Sequence, residues 1–396
     1  MQDTVLILGA RGRFGLATAR AFCDAGWRVI GQTRPGAAVS SEKANDARMQ
    51  WLGMALHDVR AVAAAAKGAS VVVHALNPAY TDKAWRAQVL PMMDSAIAIT
   101  RALGATLMLP GNVYNFGASM PGVLHEDTPQ AARTVKGQLR VAMEQMLQRA
   151  AESDADRSGG VRGTVIRAGD FFGSGSGTWF DTTLVKNIRK GVFSYPGPRD
   201  VPTPWAYLPD LARTFVAVAA QRAQLRRFDV FHFAGRQVTA QQWLDALKPV
   251  AIAQGWVKPG GQIKFNRLPW PIIRLGALVN PTWSALMEMR YQWETPHALA
   301  NGKLAALIGP EPHTPLPQAL HLALADLGLL DPVGGRMVEE PSLPRAPAPV
   351  AETARQLMPH VPPHAKAAGE SHTPTFAALA IARHSSTRHG GNRRGF

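Results

Sequence analysis

Three glycines stand three residues apart near the start of the chain, in Gly9-Ala10-Arg11-Gly12-Arg13-Phe14-Gly15. This spacing suits the binding of an anionic pyrophosphate. Gly9 can take backbone angles that a Cβ forbids. Gly12 lets the backbone approach phosphate oxygens, and Gly15 lets the following helix lie against a strand. The helix start then offers unpaired N–H groups and the positive end of its dipole to the anion.

Charge refines this reading. A carboxylate after the second apolar segment would hold the ribose hydroxyls of NAD. Thr33-Arg34 stands there instead, and Arg11 and Arg13 lie in the glycine turn. Guanidinium groups pair bidentately with phosphate. The expected cofactor is therefore NADP(H) in preference to NAD(H).

These groups need a scaffold, and its elements are legible. An apolar strand over 4–8 ends at Gly9, a helix over 16–24 follows, and a second strand over 27–31 ends in Thr33-Arg34. Further strands are predicted at 51–56, 70–76, 106–109, 161–167 and 228–233. Helical patterns fall at 62–67, 91–103, 134–151, 211–221, 241–247 and 316–327. Alternation of this kind predicts the α/β class with a Rossmann-type doubly wound parallel sheet. The expected division is a dinucleotide-binding domain over 1–170 and a smaller, partly helical substrate lobe over 171–330. Pro, Ala, Ser and His dominate from 331 to 396, and such a composition predicts a disordered tail. Its histidines (His360, His364, His372, His384, His389) lack metal-site spacing, and 376–382 reads as a transient helix.

The glycine turn, read with later segments, resembles the extended short-chain dehydrogenases/reductases, the epimerase/dehydratase relatives, over about 1–330. His57-Asp58-Val59 resembles the acid-plus-apolar pair that touches the adenine. Val73-His74-Ala75-Leu76-Asn77 is similar to the cofactor-lining segment after the fourth strand. Val113-Tyr114 matches the family's Val-Tyr-Gly. Arg167-Ala168-Gly169-Asp170-Phe171-Phe172-Gly173 resembles the segment beside the nicotinamide, and 205–212 the later segment near the substrate. The resemblance thus implies that Gly9, Arg11, Gly12, Arg13, Phe14, Gly15, Arg34, Asp58, Val59, Ala75, Leu76, Asn77 and Gly169 hold the cofactor.

The family's chemistry uses a tyrosine, a lysine four residues later on the same helix face, and a serine or threonine. Alignment on Glu144 puts Lys136 in the tyrosine place and Arg140 in the lysine place. Pro110 stands where the hydroxyl residue belongs, with Asn112 and Tyr114 the nearest polar groups. The chain is therefore identified as an atypical member. Lys136, Arg140, Tyr114 and Asn112 are its candidate catalytic residues, and Tyr207 is a further source of a phenol. An unperturbed lysine is a poor acid–base group at neutral pH, so Lys136 needs desolvation to serve.

Composition narrows the rest. A chain of 396 residues can bury a large core. Its net charge of +15 is carried by scattered residues without a basic helix, which argues against nucleic-acid binding. One cysteine, Cys23, excludes an internal disulfide framework and fits a reducing, cytoplasmic compartment. No apolar run is long enough to span a membrane, and no metal site is expected. The expected partner is a small molecule, with a homodimer left open. The expected function is an oxidoreductase or epimerase-like enzyme exchanging hydride between NADP(H) and a carbonyl or alcohol, with a nucleotide sugar as one substrate class. The alternative is a non-catalytic NADP(H)-binding redox sensor, motivated by the missing Tyr-x-x-x-Lys pair.

Overall fold

The computed structural model of the protein describes residues 2–37, 48–154 and 160–331. Its strands are β1 (Thr4–Leu8), β2 (Arg28–Thr33), β3 (Met49–Gly53), β4 (Val71–His74), β5 (Thr106–Asn112), β6 (Val123–Leu124) and β7 (Arg162–Ala168). There follow β8 (Asp170–Phe172), β9 (Val192–Tyr195), β10 (Thr203–Tyr207), β11 (Phe228–His232) and β12 (Arg236–Val238). The helices that matter here are α1 (Arg13–Asp24), α2 (Val59–Ala65), α3 (Asp82–Leu103), α4 (Val135–Ser153), α5 (Leu208–Ala220) and α6 (Ala240–Ala253).

Seven parallel strands form the main sheet in the order β11-β7-β5-β4-β1-β2-β3. Strand order reverses between β1 and β4. In a doubly wound sheet the ligand crevice opens at that point, beyond the carboxyl ends of the strands. Period-two alternation covers both faces of β1. Val5 and Ile7 face a core built with Phe22 of α1 and Phe215 of α5, while Leu6 and Leu8 face Trp85, Val89 and Leu147 of α3 and α4. The α/β class and the doubly wound sheet are as the alternation of elements predicted.

A smaller three-stranded sheet, in the order β12-β10-β8, builds a third core with α6, around Phe172, Trp205 and Trp243. Strand β11, from the second half, pairs with β7 at the edge of the first sheet, and α5 packs on α1 through a Phe14–Phe215 edge contact at 5.0 Å. Residues up to 331 belong to one compact unit.

Helix α3 starts nine residues earlier than the sequence reading placed it. Thr81 caps it by accepting the Ala84 N–H at 3.3 Å, and Pro91 falls inside. An interior proline costs about 3 kcal/mol. The buried stripe Trp85, Val89, Met93 and Ile97 offsets this, since each such side chain is worth about 2 kcal/mol on burial. No helix among the described residues is long and apolar enough to cross a membrane. The tail reading lies, beyond Asp331, outside the described residues, and its histidines with it.

Candidate active site

The glycine turn sits at the switch point because β1 lies between β2 and β4. The N–H groups of Gly9 and Ala10 donate to the Gln32 carbonyl at 3.2 and 3.0 Å, and the Ala75 N–H donates to the Leu8 carbonyl at 2.9 Å. Gly9 has φ +81°, and a Cβ there would lie 3.0 Å from the Ala75 carbonyl oxygen. A Cβ on Gly15 would lie 2.5 Å from the Gly9 carbonyl oxygen. Helix α1 has no acid in its first turn and no side chain capping it. Its leading N–H groups thus have no partner within the helix. This cradle fits the pyrophosphate of a dinucleotide.

Around the cradle, Arg11 and Arg34 are exposed at the ends of the turn and of β2. Arg13 reaches the other way: its Nη2 donates to the Gly177 carbonyl at 2.8 Å, and its buried Nη1 has no partner. The half-buried Phe14 ring packs edge-on against Phe215 of the core. Asp58 is exposed but also caps α2, accepting the Ala61 N–H at 3.3 Å. Val59 opens that helix. Ala75, Leu76 and Asn77 form the loop after β4, and Asn77 reaches the adjoining cavity. Gly169 is needed for close approach, since a Cβ there would fall 2.0 Å from the Pro204 carbonyl oxygen.

That cavity measures about 400 Å³ and opens beside the turn. Arg13, Asn112, Tyr114, Arg140 and Asp170 bring its polar groups, and Tyr80, Trp85, Phe171 and Trp179 its aromatic walls. Asn112 ends β5, and its Oδ1 accepts the Tyr114 N–H at 3.1 Å. The Tyr114 and Tyr80 hydroxyls lie 3.4 Å apart. Burial pushes both phenols well above their usual range, so both stay protonated at neutral pH. Arg140 stacks over Trp85 at 5.2 Å and donates from Nη1 to the Pro110 carbonyl at 3.2 Å. Its buried Nε has no partner.

Two candidates are not brought to this cavity. Lys136 is fully buried behind the wall, where its ammonium pairs with Asp82 and lies 3.5 Å from Glu288. The Tyr80 ring covers it at 4.8 Å. Its ion pairs with these two carboxylates hold it outside the cavity lining, which corrects the reading of Lys136 as a catalytic group. Tyr207 is buried against Phe172 at 5.2 Å and does not line the cavity. His74 is a buried core residue. Burial, then the Arg140 charge, pulls it down to about 4 and keeps it neutral. Glu144, the residue that anchored the alignment, binds Arg167 in a buried bidentate pair at 2.7 to 3.2 Å. That pair ties α4 to β7.

Asp170 escaped the sequence reading of the site. It starts β8 one residue past Gly169 and lines the cavity, and its Oδ2 accepts the Trp293 indole N–H at 2.7 Å. Burial raises its carboxyl to about 7, and the indole hydrogen bond only partly opposes this. The one available signal was its place in the segment that resembles the nicotinamide-side motif. The loop over 173–177 borders the cleft, with Gly177 on the cavity wall.

This glycine cradle on a doubly wound sheet defines a nucleotide-binding α/β protein. The chain belongs to the NAD dependent epimerase/dehydratase family, whose model matches residues 5–232. Among solved structures it is similar to UDP-glucose 4-epimerase from Brucella ovis in complex with NAD, at 14% identity and a TM-score of 0.61, covering 81% of this chain and 98% of that one. The Bordetella bronchiseptica enzyme WbmH in complex with NAD+ matches at 16% identity and a TM-score of 0.60, covering 82% and 98%. UDP-glucose 4-epimerase with UDP-glucose from Thermotoga maritima matches at 15% identity and 0.58, with the same coverage. At these identities the likeness is one of fold. No curated protein sequence matches the chain.

Proposed function

We propose that the protein is an NADP(H)-dependent oxidoreductase or epimerase-like enzyme that exchanges hydride with a carbonyl or alcohol. The observation that carries this reading is the meeting, at one switch point, of a pyrophosphate cradle and an aromatic cavity holding protonatable groups. Family membership supports a nicotinamide dinucleotide, which when bound supplies the hydride chemistry. The choice of NADP(H) rests on Arg34 and Arg11, exposed beside the cradle where a 2′-phosphate can pair with them.

The chain's own residues divide the remaining work. The first turn of α1 holds the diphosphate. Arg140 takes the ribose-holding place of the family's lysine, using the Nε that lacks a partner. Tyr114 keeps its proton and donates a hydrogen bond to the substrate oxygen, while Asn112 fixes the Tyr114 backbone. The aromatic walls exclude water, which strengthens these polar contacts. A second reading, a cofactor-responsive regulator without turnover, draws on the burial of Lys136 where the family has its tyrosine.

Fluorescence titration with NADPH and NADH, on wild type and Arg34→Ala, tests the cofactor assignment. Tighter binding of NADPH is expected, with at least a tenfold loss in Arg34→Ala and little change for NADH. Tighter binding of NADH by the wild type contradicts it. NADPH oxidation against a carbonyl panel then separates the two readings: turnover supports the enzyme, and tight binding without turnover supports the regulator.

A further inference from the structure

Asp170 and the composition of the cavity deepen the enzyme reading and rest on it. We propose that Asp170 is the proton carrier of the reaction, and that its substrate is a compact, largely apolar carbonyl compound rather than a nucleoside-diphosphate sugar. The place of the family's tyrosine is taken by Lys136, which is sealed behind Tyr80 and spent on Asp82 and Glu288. Of the groups that reach the cavity, Tyr114 and Tyr80 hold their protons too tightly to exchange them near neutrality. Asp170 lines the cavity itself.

Its surroundings suit the task. Trp293 fixes one carboxyl oxygen, so the carboxyl plane is set while the group remains on the wall. The charged and titratable groups that face it are the phenols of Tyr80, Tyr114, Tyr195 and Tyr291, and no cation pairs with it among the described residues. Arg140 is engaged with Pro110 and Trp85, and Arg13 with Gly177. Burial outweighs the one indole hydrogen bond that favours its charge, and the carboxyl is raised to about 7. That is where a general acid–base group works best at neutral pH.

The same features set the substrate. With Arg140 given to the cofactor ribose and Arg13 Nη2 to Gly177, a second diphosphate would have Arg13 Nη1 as the one unpartnered cationic donor among the described lining residues, and would meet the Asp170 carboxyl beside it. A volume of about 400 Å³ must also admit the nicotinamide end of the cofactor, which leaves room for a small molecule. Tyr80, Trp85, Phe171 and Trp179 offer apolar surface to it. In the reduction, the carbonyl carbon gains the hydride and the Asp170 carboxyl gives its proton to the carbonyl oxygen. The substrate is reduced by two electrons to the alcohol, NADPH is oxidised to NADP+, and the Asp170 carboxylate recovers a proton from water.

The test uses the full chain and has two readouts. Carboxyl-carbon NMR of ¹³C-aspartate-labelled protein, without cofactor, should show one resonance titrating near pH 7 that vanishes in Asp170→Asn. NADPH oxidation by benzaldehyde and cyclohexanone, against UDP-glucose oxidation with NADP+, supplies the second. The small carbonyls should react, and UDP-glucose should neither react nor compete. Asp170→Asn should lower kcat by about 100-fold and abolish its fall above pH 7, while NADPH affinity changes less than threefold. An Asp170 resonance titrating near 4, an unchanged kcat in Asp170→Asn, or micromolar binding of UDP-glucose overturns the proposal. Failure of the underlying enzyme reading looks different, because wild type would then bind NADPH tightly yet oxidise it with no carbonyl of the panel, while the Asp170 resonance still titrated near pH 7. That outcome overturns both.

Discussion

Replacing Gly15 by alanine tests whether the glycine turn is a cofactor cradle or only a bend. The added Cβ would lie 2.5 Å from the Gly9 carbonyl oxygen and 2.9 Å from the Ala10 Cα. Ordinary contacts lie near about 3.5 Å, so the turn must open by about 1 Å. Both obstructing atoms are backbone and cannot rotate away. Overpacking of this kind costs about 1 to 3 kcal/mol of stability. The larger consequence is for the anion. A hydrogen bond to a charged group is worth about 1.5 to 3 kcal/mol, so misplacing one first-turn amide should weaken NADPH binding about 10- to 150-fold. Gly26→Ala is the matched control. Gly26 has φ +81°, the same as Gly9, but nothing lies within 4 Å of its Cβ position, and it is remote from the cradle. It should cost about 1 kcal/mol of stability through backbone strain alone, with NADPH affinity unchanged. The assay is NADPH fluorescence titration beside urea denaturation. Equal affinity in wild type and Gly15→Ala, with the fold intact, refutes the reasoning.

Buried charge carries three further predictions. Lys136→Met removes the cation between Asp82 and Glu288, and breaking a buried pair costs about 3 to 5 kcal/mol. Chemical denaturation should show a loss near the lower figure, because Asp82 is partly solvated, while NADPH affinity stays within threefold; a tenfold loss of affinity at unchanged stability would instead place Lys136 in the site. His74 is held near 4 when folded and titrates at about 6.5 when unfolded. Between those values the unfolded chain binds the proton and the folded chain does not, so stability falls as pH drops from 6.5 toward 4. The full gap is of order 3 kcal/mol, and urea denaturation of His74→Asn should show an acid slope reduced by about that amount, whereas an unchanged slope contradicts the assignment. Asp170 acts with the opposite sign. Its folded carboxyl keeps a proton that the unfolded chain releases, so its contribution is lost as pH rises toward 7. Asp170→Asn should therefore gain stability relative to wild type above pH 7 and not at pH 4.

The first βαβ unit was legible because its signals are local. Three glycines, an apolar strand before them and a helix after them leave one arrangement, and Gln32, which anchors the turn through its carbonyl, lies within the same unit. The start of α3 was missed for an equally local reason: Pro91 reads as a helix start, while the Thr81 cap lies ten residues before it. What the sequence could not reveal depended on distant partners. Lys136 sits on the right face of α4, but Asp82 and Tyr80, more than 50 residues earlier, decide that it is sealed. Asp170 follows two small residues and reads as part of a loop. Its role depends on Trp293, 123 residues later, and on burial by aromatic walls from several elements. Arg13 looked like a phosphate ligand equal to Arg11, yet Gly177 draws its guanidinium across the cleft.

Transfer of deuterium from NADPH labelled at C4 tests the central claim most directly. Wild-type protein, NADPH labelled on either face, and the small carbonyl panel should give an alcohol carrying deuterium at the former carbonyl carbon, from one face only. Cofactor that binds tightly yet passes no label to any carbonyl would contradict the account and leave the regulator reading in its place.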